Sequence, residues 1–513
     1  MASFTNHPKE LWVLGITEMF ERFVFYLMLG ILWIYMTTPT GEVFPGFGFE
    51  KAIADDIMGT YLALLYLTPF IGGILADREL GYRRSITFGG ILMGLGYFGL
   101  SFHNETIFYL SLLLIILGNG LFKPNISVLL GRLYDNEKYR KLKDDGYNYF
   151  YLFINIGAFV CNFIAAYLRI NYGWGWAFAA AGIGMFAGLF WLWGSQLFTQ
   201  EIKRVDTIEA NGNENGKLTS MLTKLLVPSF SLAAIGWFVP GYLFGHAMLG
   251  TSSTDAFVFF CIPVVVFFVN LYKSTGDAVE RQRIGALMSI FSVVIVFWAV
   301  FHQNASALTN WAENFTNRAI PQTLIGVSDL LSLNQTVNDV QLFTAEIFQS
   351  VNPGFVLLFT PIVIGLFRLL RSKKQEPSTP AKIAWGLGIT ALSAIVMTFA
   401  VIATNNGELK ASPVWLISTY GVITIGELFL SPMGLSLVSK LSPARYSSLL
   451  MGGWFLSTSI GNKLSGVLAS LWDVYENKAF FFLTNAGLAM IAVMMLLILL
   501  PGLKRVVAEY AKD

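Results

Sequence analysis

The chain has 513 residues, of which 55% are hydrophobic, 15% aromatic and only 13% charged, and its mean hydropathy is +0.60. A soluble chain of this length needs many more charges to cover its surface, so most of this one is expected to meet lipid. A net charge of +2 is too small to imply a nucleic-acid partner, and Cys161 and Cys261, each inside an apolar run, read as small core hydrophobes rather than a redox pair or metal site.

A membrane-spanning helix needs roughly 17–25 mainly apolar residues, and the chain offers about fourteen such segments on that criterion. Six come first: Leu11–Met36, Ile53–Ala76, Ser85–Phe102, Thr106–Leu130, Tyr149–Leu168 and Trp174–Leu197. The first is long and interrupted by charges, and is therefore read as a retained helix rather than a cleavable signal. A polar linker, Thr199–Lys217, precedes two further spans, Leu222–Phe244 and Ala256–Leu271. Six more complete the chain: Ile284–Leu308, Asn352–Leu370, Ile383–Ala403, Val414–Ser439, Ser447–Leu471 and Ala479–Leu500. The expected class is thus an all-α polytopic membrane protein. Its domains would be an N-terminal six-helix bundle over 1–198, a linker with two extra helices over 199–283, and a C-terminal six-helix bundle over 284–513. The polar stretch Asn310–Ser350 suggests no role.

Lys and Arg set the orientation of such a chain. Alternate loops carry Arg78, Arg83 and Arg84; Arg132, Lys138, Arg140, Lys141 and Lys143; Lys203 and Arg204; Arg281 and Arg283; Arg368, Arg371, Lys373 and Lys374; Lys440 and Arg445; and Lys504 and Arg505. The intervening loops hold scattered cations such as Lys51, Arg318 and Lys410. This alternation places both termini in the cytoplasm and supports an even number of spans in a cell (inner or plasma) membrane.

Ionisable groups inside a bilayer cost about 2.5–3.5 kcal/mol each on insertion scales and point to function. Glu18, Glu21 and Arg22 share one face of the first helix at spacings of three and four residues. Glu18 lies ~10 Å past Leu11 at the helical rise, too deep to reach bulk water without a cavity. One Glu–Arg pair alone would read as a structural brace, but here a carboxylate is left over. Lys123 sits beside Pro124, whose missing N–H suits a helix lining a cavity, and Glu427 lies near the middle of its helix. Three acids against two bases give a net charge of minus one, a balance suited to taking up a proton. Lys463 lies toward the outer end of its helix and is expected to snorkel to the surface in a structural role. His302, among Gln303, Asn304 and Ser306, is either a hydrogen-bonded structural residue or part of a cavity wall.

The segment Gly73–Arg84 (Gly-Ile-Leu-Ala-Asp-Arg-Glu-Leu-Gly-Tyr-Arg-Arg) resembles the loop after the second helix in the major facilitator superfamily. Narrower matches point to the proton-dependent oligopeptide transporter family. Glu18–Tyr26 resembles its first-helix signature, Phe122–Ile126 its fourth-helix motif and Asp145–Gly157 its fifth-helix signature. Phe348–Pro353, Gly426–Ser436 and Met451–Leu456 continue the match into the second half, and the two extra helices are similar to those of bacterial members.

That resemblance implies a proton-coupled symporter importing di- and tripeptides by alternating access, with the proton gradient as energy source and no cofactor. Its partners would be peptide, protons and membrane lipid, and a monomer would suffice for transport. Glu18, Glu21, Arg22 and Lys123 would couple protons to substrate, together with Glu427 and His302. Arg22 and Lys123 would face the peptide carboxylate and Glu427 the amine, while Tyr26, Tyr66, Asn155, Asn352 and Trp454 would line the pocket. Two positions depart from the family. Leu29 stands where many members have an arginine, and His302 where they have its acidic partner, so the outer gate is expected to close without that ion pair. The alternative is a carrier of the same fold for another small organic solute or anion, with altered proton coupling. A membrane enzyme is not indicated: the chain has only 4 histidines and no motif with metal-ligand spacing.

Overall fold

The computed structural model describes residues 7–76, 80–134, 138–139, 142–195, 212–331, 334–337, 340–443 and 446–510. Asp77, Arg78, Arg140, Lys141, Lys203, Arg204, Arg445 and the 199–211 part of the expected linker lie outside those residues.

Fourteen long helices dominate the described residues. The first six are α1 (Glu10–Thr37), α2 (Lys51–Leu75), α3 (Tyr82–Gly99), α4 (Glu105–Leu133), α5 (Lys143–Tyr172) and α6 (Trp174–Gly194). Then come α7 (Gly212–Phe244), α8 (Ser252–Ser274), α9 (Ala278–Phe301), α10 (Val351–Ser372), α11 (Thr379–Ala403), α12 (Pro413–Leu441), α13 (Ser447–Ser470) and α14 (Lys478–Tyr510). Among the described residues, eleven spans are long and apolar enough to cross a membrane by length and composition. An even number of alternating spans brings both termini to one end, and the opposite end is distal.

Two sequence expectations change here. The span expected over Ile284–Leu308 is present within Ala278–Asn314 but is not one helix: the α-helix ends at Phe301, His302–Ala305 is a 3-10 turn, and a separate short helix covers Ala307–Asn314. Side chains share the carbonyls at this point, while the His302 N–H still reaches the Trp298 carbonyl. His302 Nδ1 lies 3.2 Å from the Trp298 carbonyl, and Gln303 Nε2 donates to the Ala299 carbonyl at 3.2 Å, so side chains compete for acceptors the α-helix would use. The second change is that α7 begins at Gly212, inside the stretch expected to be linker.

Helix α1 packs on α5 and α6, α3 on α4, and α2 on α4; in the second half α11 packs on α12 and α14, and α9 on α13. The α7–α8 hairpin leans on α2, α9 and α13 and leaves Tyr242 and Phe238 exposed, as a lipid-facing surface requires. The polar stretch after α9 is ordered into the short helices Ala307–Asn314 and Gln322–Leu331, an antiparallel pair of strands (334–337 with 340–343), and a 3-10 turn at Ala345–Ser350. It caps the distal end and is tied down by Arg318, which donates to the Phe343 carbonyl (2.9 Å) and to the Glu313 carboxylate (2.9 Å).

Contacts between the two sets of six helices gather at the distal end. There α2 crosses α13 through a glycine pair: a Cβ on Gly59 would lie 2.8 Å from the Gly466 Cα, and one on Gly466 would lie 2.7 Å from the Asp55 carbonyl oxygen. On the same seam Ser459 donates to the Ala63 carbonyl at 2.7 Å and Asn462 to that of Leu62 at 3.2 Å. Beside it, Arg169 of α5 makes a two-pronged bond to Glu346 at 2.7 and 3.1 Å, and Asn162 donates to Ser350 at 3.1 Å. The distal end is therefore closed by small residues and by charges satisfied across the interface. Gly466→Val is expected to force the two backbones apart and destabilise this closed form by about 1–3 kcal/mol, as overpacking does. A lowered Tm in detergent, compared with Gly487→Ala on α14 where a Cβ meets open space, checks it.

Candidate functional site

The buried face of α1 holds the densest charge in the interior. Arg22 donates two hydrogen bonds to the Glu21 carboxylate, and its Nε lies 3.5 Å from Glu18 Oε1. All three groups are buried. Glu18 and Arg22, four apart, meet because successive turns of a helix stack such side chains. The Arg22 guanidinium also lies 4.9 Å from the centroid of the Phe25 ring. Glu21 is saturated by this arrangement, whereas Glu18 Oε2 is buried with no hydrogen-bond partner.

From α4, Lys123 reaches toward this face, but among the described residues it forms no ion pair with the cluster. Its Nζ sits 4.4 Å above the Tyr66 ring of α2, near enough to Glu18 for its charge to be felt there. The helix runs on through Pro124. The Gly120 carbonyl, which Pro124 cannot serve, lies in the close approach of α4 to Gly72 of α2. Tyr66 then bridges the two halves, since His302 stands edge-on to it with ring centroids 6.2 Å apart. His302 is itself buried, its ring tilted against that of Trp298 at 5.3 Å, and Leu29 of α1 is also buried.

Across the interface Glu427 rises from α12. It is placed by a glycine contact one residue away: a Cβ on Gly386 of α11 would lie 2.7 Å from the Gly426 carbonyl. That close approach presses one face of α12 into its own bundle and turns Glu427 toward the other. Asn352 of α10 holds the carboxylate, donating to Glu427 Oε2 at 3.2 Å and to Thr424 at 2.8 Å. Glu427 lies within electrostatic reach of Tyr26 of α1 and Tyr151 of α5, both in the opposite bundle.

The remaining sequence-derived residues divide. Tyr26 and Tyr66 are half-buried on the inter-bundle face. Asn155 is buried and donates to the Tyr151 carbonyl at 2.9 Å, close to Glu427's field. Trp454 is enclosed within the second bundle, its ring against Gly434 and edge-on to Phe291 at 6.5 Å. Tyr66 also borders a narrow apolar crevice beneath the α7–α8 hairpin, with Leu67, Leu225, Phe260, Val264 and Leu456. Among the described residues, no group of three or more His, Cys, Asp or Glu side chains could hold a metal ion.

Lys463 is a correction. It does not snorkel: its side chain is 3% exposed and its Nζ lies 2.6 Å from Asp56 of α2. Sequence reading also missed Asp56, Arg169 and Glu346. Their signal was a charge inside or beside an apolar span, but partners 407 and 177 residues apart cannot be matched without the fold.

The described interior thus holds a charged cluster on α1, a carboxylate on α12 held by Asn352, and a closed distal end. A family model described as the POT family matches residues 83–485. The chain belongs to the POT family. It is 30% identical over 506 residues to a di-/tripeptide transporter of Lactococcus lactis subsp. lactis, covering 98% of this chain and 97% of that one. The solved structure of a mutant peptide transporter POT bound to alafosfalin superposes with a TM-score of 0.79 at 30% identity, covering 98% of this chain and 96% of that one. A POT family transporter bound to a thioalcohol-conjugated peptide gives a TM-score of 0.82 at 26% identity, with 98% of both chains covered. The all-α major facilitator architecture and the transporter class are thereby established for this POT protein.

Arg22→Lys tests the geometry of the charged wall. An ammonium keeps the charge but cannot make the two parallel bonds to Glu21. Loss of one hydrogen bond to a charged group is expected to lower stability by about 1.5–3 kcal/mol. A fall in Tm with retained helix content by circular dichroism is the outcome to look for.

Proposed function

We propose that this POT protein is a proton-coupled symporter that imports di- and tripeptides. The observation that carries the proposal is the opposition of charge across the interface: Arg22 and Lys123 on one side, Glu427 held by Asn352 on the other. A zwitterionic peptide needs a cationic and an anionic wall set apart, with surfaces between them that tolerate varied side chains. Tyr26, Tyr66 and Asn155 supply such surfaces, and Trp454 would join them on rearrangement of α13. The names of similar proteins, a di-/tripeptide transporter and peptide transporters holding peptide-like ligands, support the same reading.

In this scheme Glu18 Oε2 receives the exchangeable proton, because a buried carboxylate oxygen with no partner gains most from one. Glu21 and Arg22 then form the fixed pair through which its charge state reaches the peptide carboxylate, with Lys123 adding to the field. His302 sits between Tyr66 and the second bundle and contributes a second titratable group. The helices of 1–198 and 284–513 act as the two rocking bundles, with 199–283 between them. Both termini face the cytoplasm, by the charge of the loops.

Uptake of labelled dialanine into proteoliposomes tests this. An inwardly directed proton gradient is expected to drive accumulation by the wild type. Glu21→Gln should abolish accumulation while leaving exchange of peptide down its own gradient; no wild-type uptake under either condition would sink the peptide assignment. Glu427→Gln is expected to raise KM for dialanine by about 10- to 100-fold, the cost of one charge-assisted contact, with less effect on a peptide lacking its α-amine. The replacement of the arginine–acid pair by Leu29 and His302 favours a second reading, a carrier of another small organic solute or anion with altered coupling. It predicts competition for uptake by non-peptide zwitterions but not by dialanine.

A further inference from the structure

The α7–α8 hairpin lies outside the two bundles, and the reading above gives it no task. Its distal tip ends on a closed network of charges. Lys463 of α13 uses all three ammonium hydrogens there, on Asp56 Oδ1 at 2.6 Å, Thr60 Oγ1 at 2.7 Å and Ser253 Oγ at 2.8 Å. Asp56 takes further bonds from the hairpin, from Thr251 at 3.0 Å to Oδ1 and from Ser253 at 2.5 Å to Oδ2. Ser253 thus accepts from the cation and donates to the anion. Three elements meet at one ion pair: α2 of the first bundle, α13 of the second, and the first turn of α8.

This turn is built to stay in place. Thr251 caps α8, accepting from the Thr254 N–H at 3.2 Å, so the positive end of the helix dipole is directed at Asp56. Asp255 is fully buried and takes the Met248 and Leu249 N–H groups at 2.7 and 2.8 Å, fixing the chain before the cap. Gly236 lets α7 press against Asp255, where an added Cβ would lie 2.8 Å from its carbonyl oxygen.

We propose that Asp56, Lys463 and the Thr251–Thr254 turn form a three-part distal gate, in which the hairpin holds Asp56 ready for Lys463. These are positioning residues: they set the population of the closed distal end rather than touch substrate. The network lies one helical turn from the Gly59–Gly466 crossing, so the bundles cannot separate there without parting Asp56 from Lys463. When they part, Asp56 keeps its hydroxyl donors and the helix dipole, while Lys463 loses its counter-charge and turns to water at the distal surface. Ser253 bonds both ions only while they are together, so the hairpin weights this ion pair toward the closed form. The proposal rests on the transporter reading only in requiring that the distal end open.

A distance measurement that involves no peptide tests it. Spin labels at Val43→Cys and Val474→Cys, exposed loop positions on the two bundles at the distal end, are placed in a chain with Cys161→Ala and Cys261→Ala. Double electron–electron resonance in nanodiscs then reads the open-to-closed ratio. Lys463→Gln is expected to raise that ratio about tenfold, and Ser253→Ala a few-fold, as loss of bonds to charged groups should. Asp56→Asn strands a buried ammonium and should disturb the protein most, with Lys463→Gln added to Asp56→Asn partly restoring both Tm and the closed distance. Distance distributions unchanged from wild type in Lys463→Gln and Ser253→Ala, with or without a lower Tm, would overturn the gate and leave a structural brace. Loss of dialanine uptake in wild type, with the distance shifts intact, would overturn the peptide reading and leave the gate standing.

Discussion

Arg22 is a guanidinium buried in a membrane-spanning helix, and its need for counter-charge organises the interior around it. Water cannot solvate it and lipid will not, so the charge must be answered by the protein. Glu21 answers with two hydrogen bonds and Glu18 with a longer ion pair. Because the pairing is local to one helix, it survives any movement of one bundle against the other. What it leaves over is a single unpartnered carboxylate oxygen on Glu18.

Charges that cross the interface obey the opposite logic. Arg169–Glu346 and Asp56–Lys463 join the two bundles at the closed distal end, so each ties one bundle to the other. The chain lacks the arginine and acid that many relatives are expected to use at this end, with Leu29 and His302 in their places. It closes on two other pairs, one anchored by the 3-10 turn before α10 and one by the tip of the hairpin. Segments without an evident role in the sequence, the 310–350 stretch and the α7–α8 pair, thus supply partners for the gate.

Backbone approach matters as much as charge. Gly59 and Gly466 allow α2 and α13 to touch at the distal end, while Gly386 and Gly426 bring α11 against α12 and orient Glu427. In a bilayer, where burying apolar surface gains little, such contacts provide the close packing on which helix association depends. The same glycines that join helices within a bundle therefore aim its functional carboxylate.

The sequence by itself determined the number and order of spans, because a stretch of about 20 apolar residues has few alternatives to a membrane helix. It also singled out the α1 cluster, since residues three and four apart on a helix must share a face. It placed the apolar span after the hairpin, Ile284–Leu308, but gave no sign of the 3-10 turn at His302–Ala305 that interrupts it. It misjudged Lys463, whose flexible stem is compatible with either a surface or a buried partner. Only the tertiary structure decided that Lys463 meets Asp56 and Ser253, that Arg169 meets Glu346, and that Lys123 lies over Tyr66 rather than on a carboxylate. Each of those choices depends on which helix faces which, and that is set by packing between segments far apart in the chain, for which no local pattern of residues is diagnostic.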